Sequence, residues 1–265
     1  MGNTIKRKVK RNETTTMRPI FTLFIVVGIV IMTIAVAHAQ TSAEAPAALK
    51  DVNKIVCLGD SITQGGDGPG GYVGLVRKYL STLYPGIEII NSGISGNKSD
   101  DMLARFDRDV IAHKPDMMTI SVGVNDVWHG FYDNHPLGDG PRGVPLETYR
   151  KNVETMLEKA KAANIKVVIL STTVINEDLK NHENAKIAGY NAALRDIARA
   201  NGLLFIDFQK PFQALIKTYR ETTGARDNLL TVDGVHMNVE GNKVMAHTIL
   251  NGLGVSPEAR QKVTL

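Results

Sequence analysis

Cysteine is almost missing from this 265-residue chain: Cys57 stands alone, which excludes an intramolecular disulfide and any disulfide-stapled fold. It lies in the apolar run Ile55-Val56-Cys57-Leu58, which reads as a buried strand, so the thiol counts as a small core group and not as a nucleophile. Aromatic residues make up only 6%, with Trp128 the single tryptophan. The composition is otherwise ordinary for a globular chain, at 43% hydrophobic and 22% charged, so collagen-like, low-complexity and wholly disordered readings fall away. A surplus of positive charge is also missing where it would matter. The formal net charge is +4 and the pI near 9.0. Yet Lys6, Arg7, Lys8, Lys10, Arg11 and Arg18 all precede residue 40, against Glu13 alone. The remaining 226 residues carry 25 basic and 26 acidic side chains, a net of −1. Nothing in that balance asks for nucleic acid or an acidic partner.

What is present at the N-terminus is a basic stretch, an uncharged apolar run from Ile20 to Ala37, and the triplet Ala37-His38-Ala39. This is the layout of a secretory signal cleaved after Ala39. The run of 18 residues is also just long enough to span a bilayer, so an uncleaved anchor is the alternative, and Met17 is an alternative start. Either way the rest of the chain is expected outside the cytoplasm, secreted or periplasmic, with membrane contact only through an uncleaved helix. Residues 1–39 are thus read as signal or anchor, 40–52 as a small, polar linker, and 53–265 as the folded domain.

Along that domain, short β-rich runs alternate with helical spacing. Strands are expected at Lys54–Leu58, Ile87–Asn91, Met117–Val122, Ile165–Leu170 and Leu203–Ile206. Between them, Tyr72, Leu75, Val76, Tyr79, Leu80 and Leu83 mark one helix, stopped by Pro85-Gly86. A second is expected from a Ser99 cap through Met102, Leu103, Phe106, Val110 and Ile111. Further helices follow from Leu146, over 184–200, near 211–222 and over 239–250. Strands alternating with helices across short loops imply βαβ units and a parallel sheet covered on both faces, in one three-layer α/β domain. In such sheets chemistry gathers at the carboxyl ends of the strands.

Four segments at those ends carry reactive or donor groups. Gly59-Asp60-Ser61 follows the first strand, where a turn can point the serine hydroxyl into the crevice; Asp60 or Ser61 would equally serve as a helix cap. A serine hydroxyl needs a base to act as a nucleophile. Asp233-Gly234-Val235-His236 supplies an imidazole three residues from a carboxylate that can hold its Nδ1–H, leaving Nε2 to take a proton; a plain turn reads the same way. Asn91-Ser92-Gly93-Ile94-Ser95-Gly96 offers backbone N–H groups near glycine, and Gly123-Val124-Asn125-Asp126 a side-chain amide. His113, His129, His135, His182 and His247 lack an adjacent partner in such a loop. His182-Glu183 is no zinc motif, because position 186 is lysine.

Taken together, Gly59-Asp60-Ser61, Gly93, Gly123-x-Asn125-Asp126 and Asp233-x-x-His236 resemble the SGNH hydrolases, also called GDSL esterases/lipases, over about residues 53–252. The resemblance implies a flavodoxin-like α/β/α sandwich with a five-stranded parallel sheet. It implies Ser61 as nucleophile, His236 as base and Asp233 as its partner. It further implies an oxyanion hole from the Ser61 and Gly93 N–H groups and the Asn125 side chain. Asp126 is read as bracing its loop. Such chemistry asks for no metal or organic cofactor.

Other motifs compete less well. Gly66 to Gly71 matches G-x-G-x-x-G but does not directly follow a strand and holds Pro69. The G-x-S-x-G elbow of α/β-hydrolases is absent. The long stretch Trp128 to Pro145 interrupts the core after the third strand and reads as a substrate wall, with Trp128, Phe131 and Tyr132 placed to stack on sugar faces or hold an acyl chain. The expected substrate is a small-molecule or glycan ester, most simply a short-acyl (acetyl) ester of a carbohydrate. Lysophospholipase or acyl-thioesterase action and extracytoplasmic O-acyl transfer are the alternatives.

Overall fold

The computed structural model describes residues 45–264, so the expected signal or anchor at 1–39 lies outside the described residues. The five expected strands form one parallel sheet: β1 (Lys54–Gly59), β2 (Glu88–Gly93), β3 (Met117–Ser121), β4 (Lys166–Leu170) and β5 (Leu204–Ile206), in the order β2-β1-β3-β4-β5. Val56, Leu58, Met118, Ile120, Ile169 and Leu170 are fully buried, as strands covered on both faces must be. Each such side chain contributes roughly 1.5–3 kcal/mol of burial. Cys57 is buried among them, and desolvation pushes its thiol up to about 11, so it stays protonated.

The helices are α1 (Ser61–Gly65), α2 (Tyr72–Leu83), α3 (Ser99–Ala104), α4 (Phe106–Asp109), α5 (Val124–Trp128), α6 (Leu146–Ala162), α7 (His182–Ala200), α8 (Gln209–Thr223), α9 (Val239–Gly252) and α10 (Pro257–Arg260). All six apolar positions that marked α2 are buried, and the chain leaves that helix through Pro85 and Gly86, the glycine at φ +107°. α2 packs with α9, and α9 with α8; α3 packs with α6, and α6 with α7. Among the described residues no helix is long and apolar enough to cross a membrane.

The helix expected from Ser99 through Ile111 is not continuous. It breaks at Arg105 (φ −104°, ψ 3°), which ends α3 and precedes α4 with its guanidinium turned inward. Ser99 does not cap it either. Lys98 is the N-cap, and the Ser99 hydroxyl and N–H instead bond to the Asp126 carboxylate at 2.5 and 2.9 Å.

The strand order reverses direction across β1 and β3, which puts a crevice at their carboxyl ends. Register brings Gly59 level with Gly93 at that edge. The loops after β1, β2 and β3 therefore meet at one place.

Candidate active site

β1 turns at once into α1, and the turn is too tight for a side chain at its start. A Cβ on Gly59 would lie 2.0 Å from Thr63 Oγ1. Asp60 is the N-cap of α1, its Oδ1 accepting from the Ile62 N–H at 2.9 Å, so the capping reading of this residue holds. Ser61 is thereby left as the first helical residue, half-buried. Burial pushes the Asp60 carboxyl up to about 6, against the opposing pull of the Ile62 N–H and of His236.

The loop from Leu229 to Asn238 approaches from the far end of the chain. An antiparallel bridge pairs Thr231 with Met237, and the Val232 N–H donates to the His236 carbonyl at 2.8 Å. Within this turn Asp233 Oδ1 accepts from the Val235 and His236 N–H groups at 3.0 and 2.8 Å. Gly234 sits at φ +95°, where a Cβ would meet Asn176 Oδ1 at 2.4 Å. Asp233 Oδ2 then faces His236 Nδ1 at 2.7 Å, and His236 Nε2 faces Ser61 Oγ at 2.9 Å, across 175 residues of sequence. Partial burial pushes the Asp233 carboxyl up, but the side-chain and backbone bonds from His236 outweigh it and hold it below the usual carboxylate range. An ionised Asp233 accepts the Nδ1 proton, which leaves a lone pair on Nε2 for the serine hydroxyl. Such a line of groups can move a proton off a serine oxygen.

A residue that carried no sequence signal anchors this loop. Glu177, 2% exposed, accepts from the N–H groups of Leu229, Leu230 and Thr231 and from the Thr231 hydroxyl, at 2.7 to 2.9 Å. In sequence it is one acid in a polar stretch after β4.

On the β2 side, a Cβ at Gly93 would lie 2.2 Å from the Gln64 nitrogen, so glycine is required for α1 to pack there. The Gly93 N–H, however, donates to Asn91 Oδ1 at 2.8 Å and is not free to face the crevice. The neighbouring N–H groups are engaged too: Ile94 to the Gly59 carbonyl, Ser95 to Gln64 Oε1, and Asn97 to the Ile94 carbonyl. Among the described residues, Gly96 alone in this loop has an N–H without an acceptor, and it takes a positive φ of +77°. Sequence reasoning quoted Gly96 but chose Gly93, because which amide a turn leaves free depends on side chains that fold back onto it.

On the β3 side, Gly123 (φ +124°) is the N-cap of α5, and Asn125 follows in its first turn, 3% exposed. Asn125 Nδ2 donates to the Asn97 carbonyl at 3.0 Å, leaving its second hydrogen available. Asp126 braces the loops, as expected, by holding Ser99, while Asn152 Nδ2 donates to the Ser99 hydroxyl at 3.1 Å. Burial pushes the Asp126 carboxyl up to about 7, against the bonds from Ser99.

The stretch from Trp128 to Pro145 is folded back on itself. Gly140 N–H donates to the Gly130 carbonyl, Val144 N–H to the Asp126 carbonyl, and Tyr190 Oη to the Val144 carbonyl at 2.6 Å. Trp128 is half-buried with its ring edge-on to Tyr132 at 5.6 Å, His129 stacks on Tyr132 at 5.0 Å, and Arg142 lies 4.6 Å from that ring. Phe131 does not join this cluster. Its ring packs into the loop, where a Cβ on Gly138 would lie 2.4 Å from it.

Residues 57–244 match the model of the GDSL-like Lipase/Acylhydrolase family. An acetylxylan esterase of Geobacillus stearothermophilus is 31% identical over 214 residues, covering 76% of this chain and 94% of that one. The crystal structure of an acetyl xylan esterase, AlAXEase, is 32% identical with a TM-score of 0.67, over 75% of this chain and 98% of the other. An uncharacterized lipoprotein of Bacillus subtilis, YqeF, is 23% identical over 221 residues, covering 75% of this chain and 88% of that one. The sheet order, the crevice where three strand ends meet and these likenesses agree, and the chain belongs to the GDSL-like lipase/acylhydrolase (SGNH hydrolase) family and is a carboxylic ester hydrolase.

Proposed function

We propose that the chain hydrolyses short-acyl esters of carbohydrates, acetyl esters first among them, with Ser61 as nucleophile, His236 as general base and Asp233 as its partner. The observation that carries this reading is the unbroken line from Asp233 Oδ2 through the His236 ring to Ser61 Oγ, at 2.7 and 2.9 Å. Ser61 Oγ attacks the ester carbonyl as His236 Nε2 takes its proton. The C–O bond to the alcohol then breaks, and His236 returns the proton to the departing oxygen. Water next attacks the acyl-enzyme through the same base, releasing the acid and restoring Ser61. The oxyanion formed at each attack is met by the Ser61 N–H, by Asn125 Nδ2 and, in place of Gly93, by the Gly96 N–H. The engaged Gly93 amide and the free Gly96 amide support that exchange.

The substrate class is supported by the acetylxylan esterases among the relatives and by Trp128, half-buried on the helix that carries Asn125; the Tyr132 ring is taken up by His129 and Arg142. Phe131 belongs to the loop's own packing. Action outside the cytoplasm is supported by the apolar run ending in Ala37-His38-Ala39 and by the lipoprotein relative.

The test is hydrolysis of p-nitrophenyl esters from two to twelve acyl carbons by the full chain, beside Ser61→Ala. Turnover highest on acetate, and lower by about 10³-fold or more in Ser61→Ala, is the expected result. Highest turnover on the long acyl chains would instead favour a lipase or thioesterase, and acetyl transfer to an added xylo-oligosaccharide would favour an acyltransferase.

A further inference from the structure

Arg105 is 7% exposed and sits at the break between α3 and α4, and its guanidinium reaches the ends of β1 and β2 and the loop that follows β2. Nη2 donates to the Gly59 carbonyl at 2.8 Å, two residues before Ser61. Nη1 donates to the Ser92 carbonyl at 2.9 Å, where β2 passes into the loop holding Gly96. Nε donates to Asn97 Oδ1 at 2.6 Å, and the Asn97 carbonyl in turn takes the Asn125 amide at 3.0 Å. We propose that Arg105 is a positioning residue that holds the Ser61, Gly96 and Asn125 donors in register for one oxyanion. The inference rests on the donor assignment proposed above and deepens it.

The chemistry of the side chain fits this task. A guanidinium is planar and presents its N–H groups in a fixed fork, so three acceptors bound to it have little freedom relative to one another. A lysine ammonium is a single point of charge on a flexible stem and cannot span the same three directions. Asp109 Oδ2 accepts from Nη1 at 2.8 Å and supplies the counter-charge that lets the cation lie buried. Bonds from Arg108 first, and then from Arg105, hold the Asp109 carboxyl down at about 2, so the pair stays charged wherever an esterase would work. Arg105 bonds neither Ser61 Oγ nor His236, which makes it a positioning residue and not a catalytic one.

The test is steady-state hydrolysis of p-nitrophenyl acetate by the full chain and by Arg105→Gln, Arg105→Lys, Asn97→Ala and Ser61→Ala, with inhibition by phenylboronic acid measured on each except Ser61→Ala. Losing one oxyanion donor lowers kcat by about 10²–10³-fold, and misplacing a group by 1 Å costs about 10²-fold. Arg105→Gln is therefore expected to lower kcat roughly 100-fold while KM stays within about threefold. Phenylboronate, whose adduct with Ser61 sets a tetrahedral oxygen among the same donors, should bind more weakly by a similar factor. The midpoint of the pH profile of kcat/KM should not move, because the guanidinium does not touch His236 or Asp233. Arg105→Lys should recover only part of the loss, and Asn97→Ala, which removes one acceptor, should lose about tenfold in both kcat and boronate affinity.

A folded Arg105→Gln that keeps kcat within about threefold overturns the proposal. So does a loss of kcat without a loss of boronate affinity, or a displaced pH midpoint. If Arg105→Gln does not fold, Asn97→Ala decides by the same two readings, and unchanged kcat there overturns it. Ser61→Ala separates the two levels: full turnover in that variant overturns Ser61 as nucleophile, and with it the site these donors serve, whereas its loss beside an active Arg105→Gln overturns the role of Arg105 alone.

Discussion

Asp233 does two jobs with two oxygens, and they can be separated. Oδ1 takes the Val235 and His236 N–H groups and closes the turn; Oδ2 takes the His236 ring. Asparagine can keep the first job by presenting its carbonyl to the backbone, but it then turns an N–H toward Nδ1. The ring would respond by carrying its proton on Nε2, where it cannot accept from Ser61. Asp233→Asn is expected to lower kcat by about 10³–10⁴-fold with little change in melting temperature. Kinetics beside a thermal melt check this, and a loss below about tenfold would remove Asp233 from the proton path. The residues on this line were legible in the sequence because each sits in a short block where a strand or helix boundary is due. Which amide of the β2 loop is left without an acceptor was not legible. Choosing between Gly93 and Gly96 requires knowing that the Asn91 side chain curls back to bond its second neighbour, a local event that spacing does not encode.

At the level of elements, the loop carrying Asp233 and His236 owes its place to a neighbour on the β4 side. Glu177 gathers three consecutive N–H groups and a hydroxyl from that loop and, among the described residues, pairs with no cation, so these donors meet the carboxylate charge. Hydrogen bonds to a charged group contribute about 1.5–3 kcal/mol each. Glu177→Gln keeps a carbonyl for the Oε1 partners but sets an amide against the Leu229 N–H, and a destabilisation of roughly 2 kcal/mol is expected. Urea denaturation measures it, and amide exchange at Leu229, Leu230 and Thr231 should speed up more than exchange in β1. Uniformly faster exchange would mean that Glu177 supports the whole fold and not this loop. The five strands and the long helices were read correctly from periodicity, because four to six apolar positions in phase leave little choice. Besides α10 near the C-terminus, the elements missed were α1 and α5, of five residues each, and the break at Arg105, all too short to show a period. These lie around the crevice, where backbone geometry serves the site and local preference yields to it.

For the molecule as a whole, the buried carboxyls set how stability follows pH. The ordinary value for an aspartate is 3.8, and burial raises Asp60 to about 6 and Asp126 to about 7. Between these limits the folded chain holds protons that the unfolded chain has released. The slope of unfolding free energy with pH is then negative, so stability falls as pH rises through about 4 to 7 and levels off above. Asp109, held at about 2, acts in the opposite sense but only below its ordinary value, as the pH falls from 3.8 toward 2. The contribution of Asp126 to this slope can be isolated. Asp126→Asn keeps an oxygen for the Ser99 N–H and hydroxyl while removing the ionisation. Its melting temperature should decline less than that of the parent between about pH 5 and 7.5, with the gap widening in favour of the variant as pH rises. Parallel curves over that range would mean that the Ser99 bonds keep Asp126 ionised throughout and that its burial does not govern the slope.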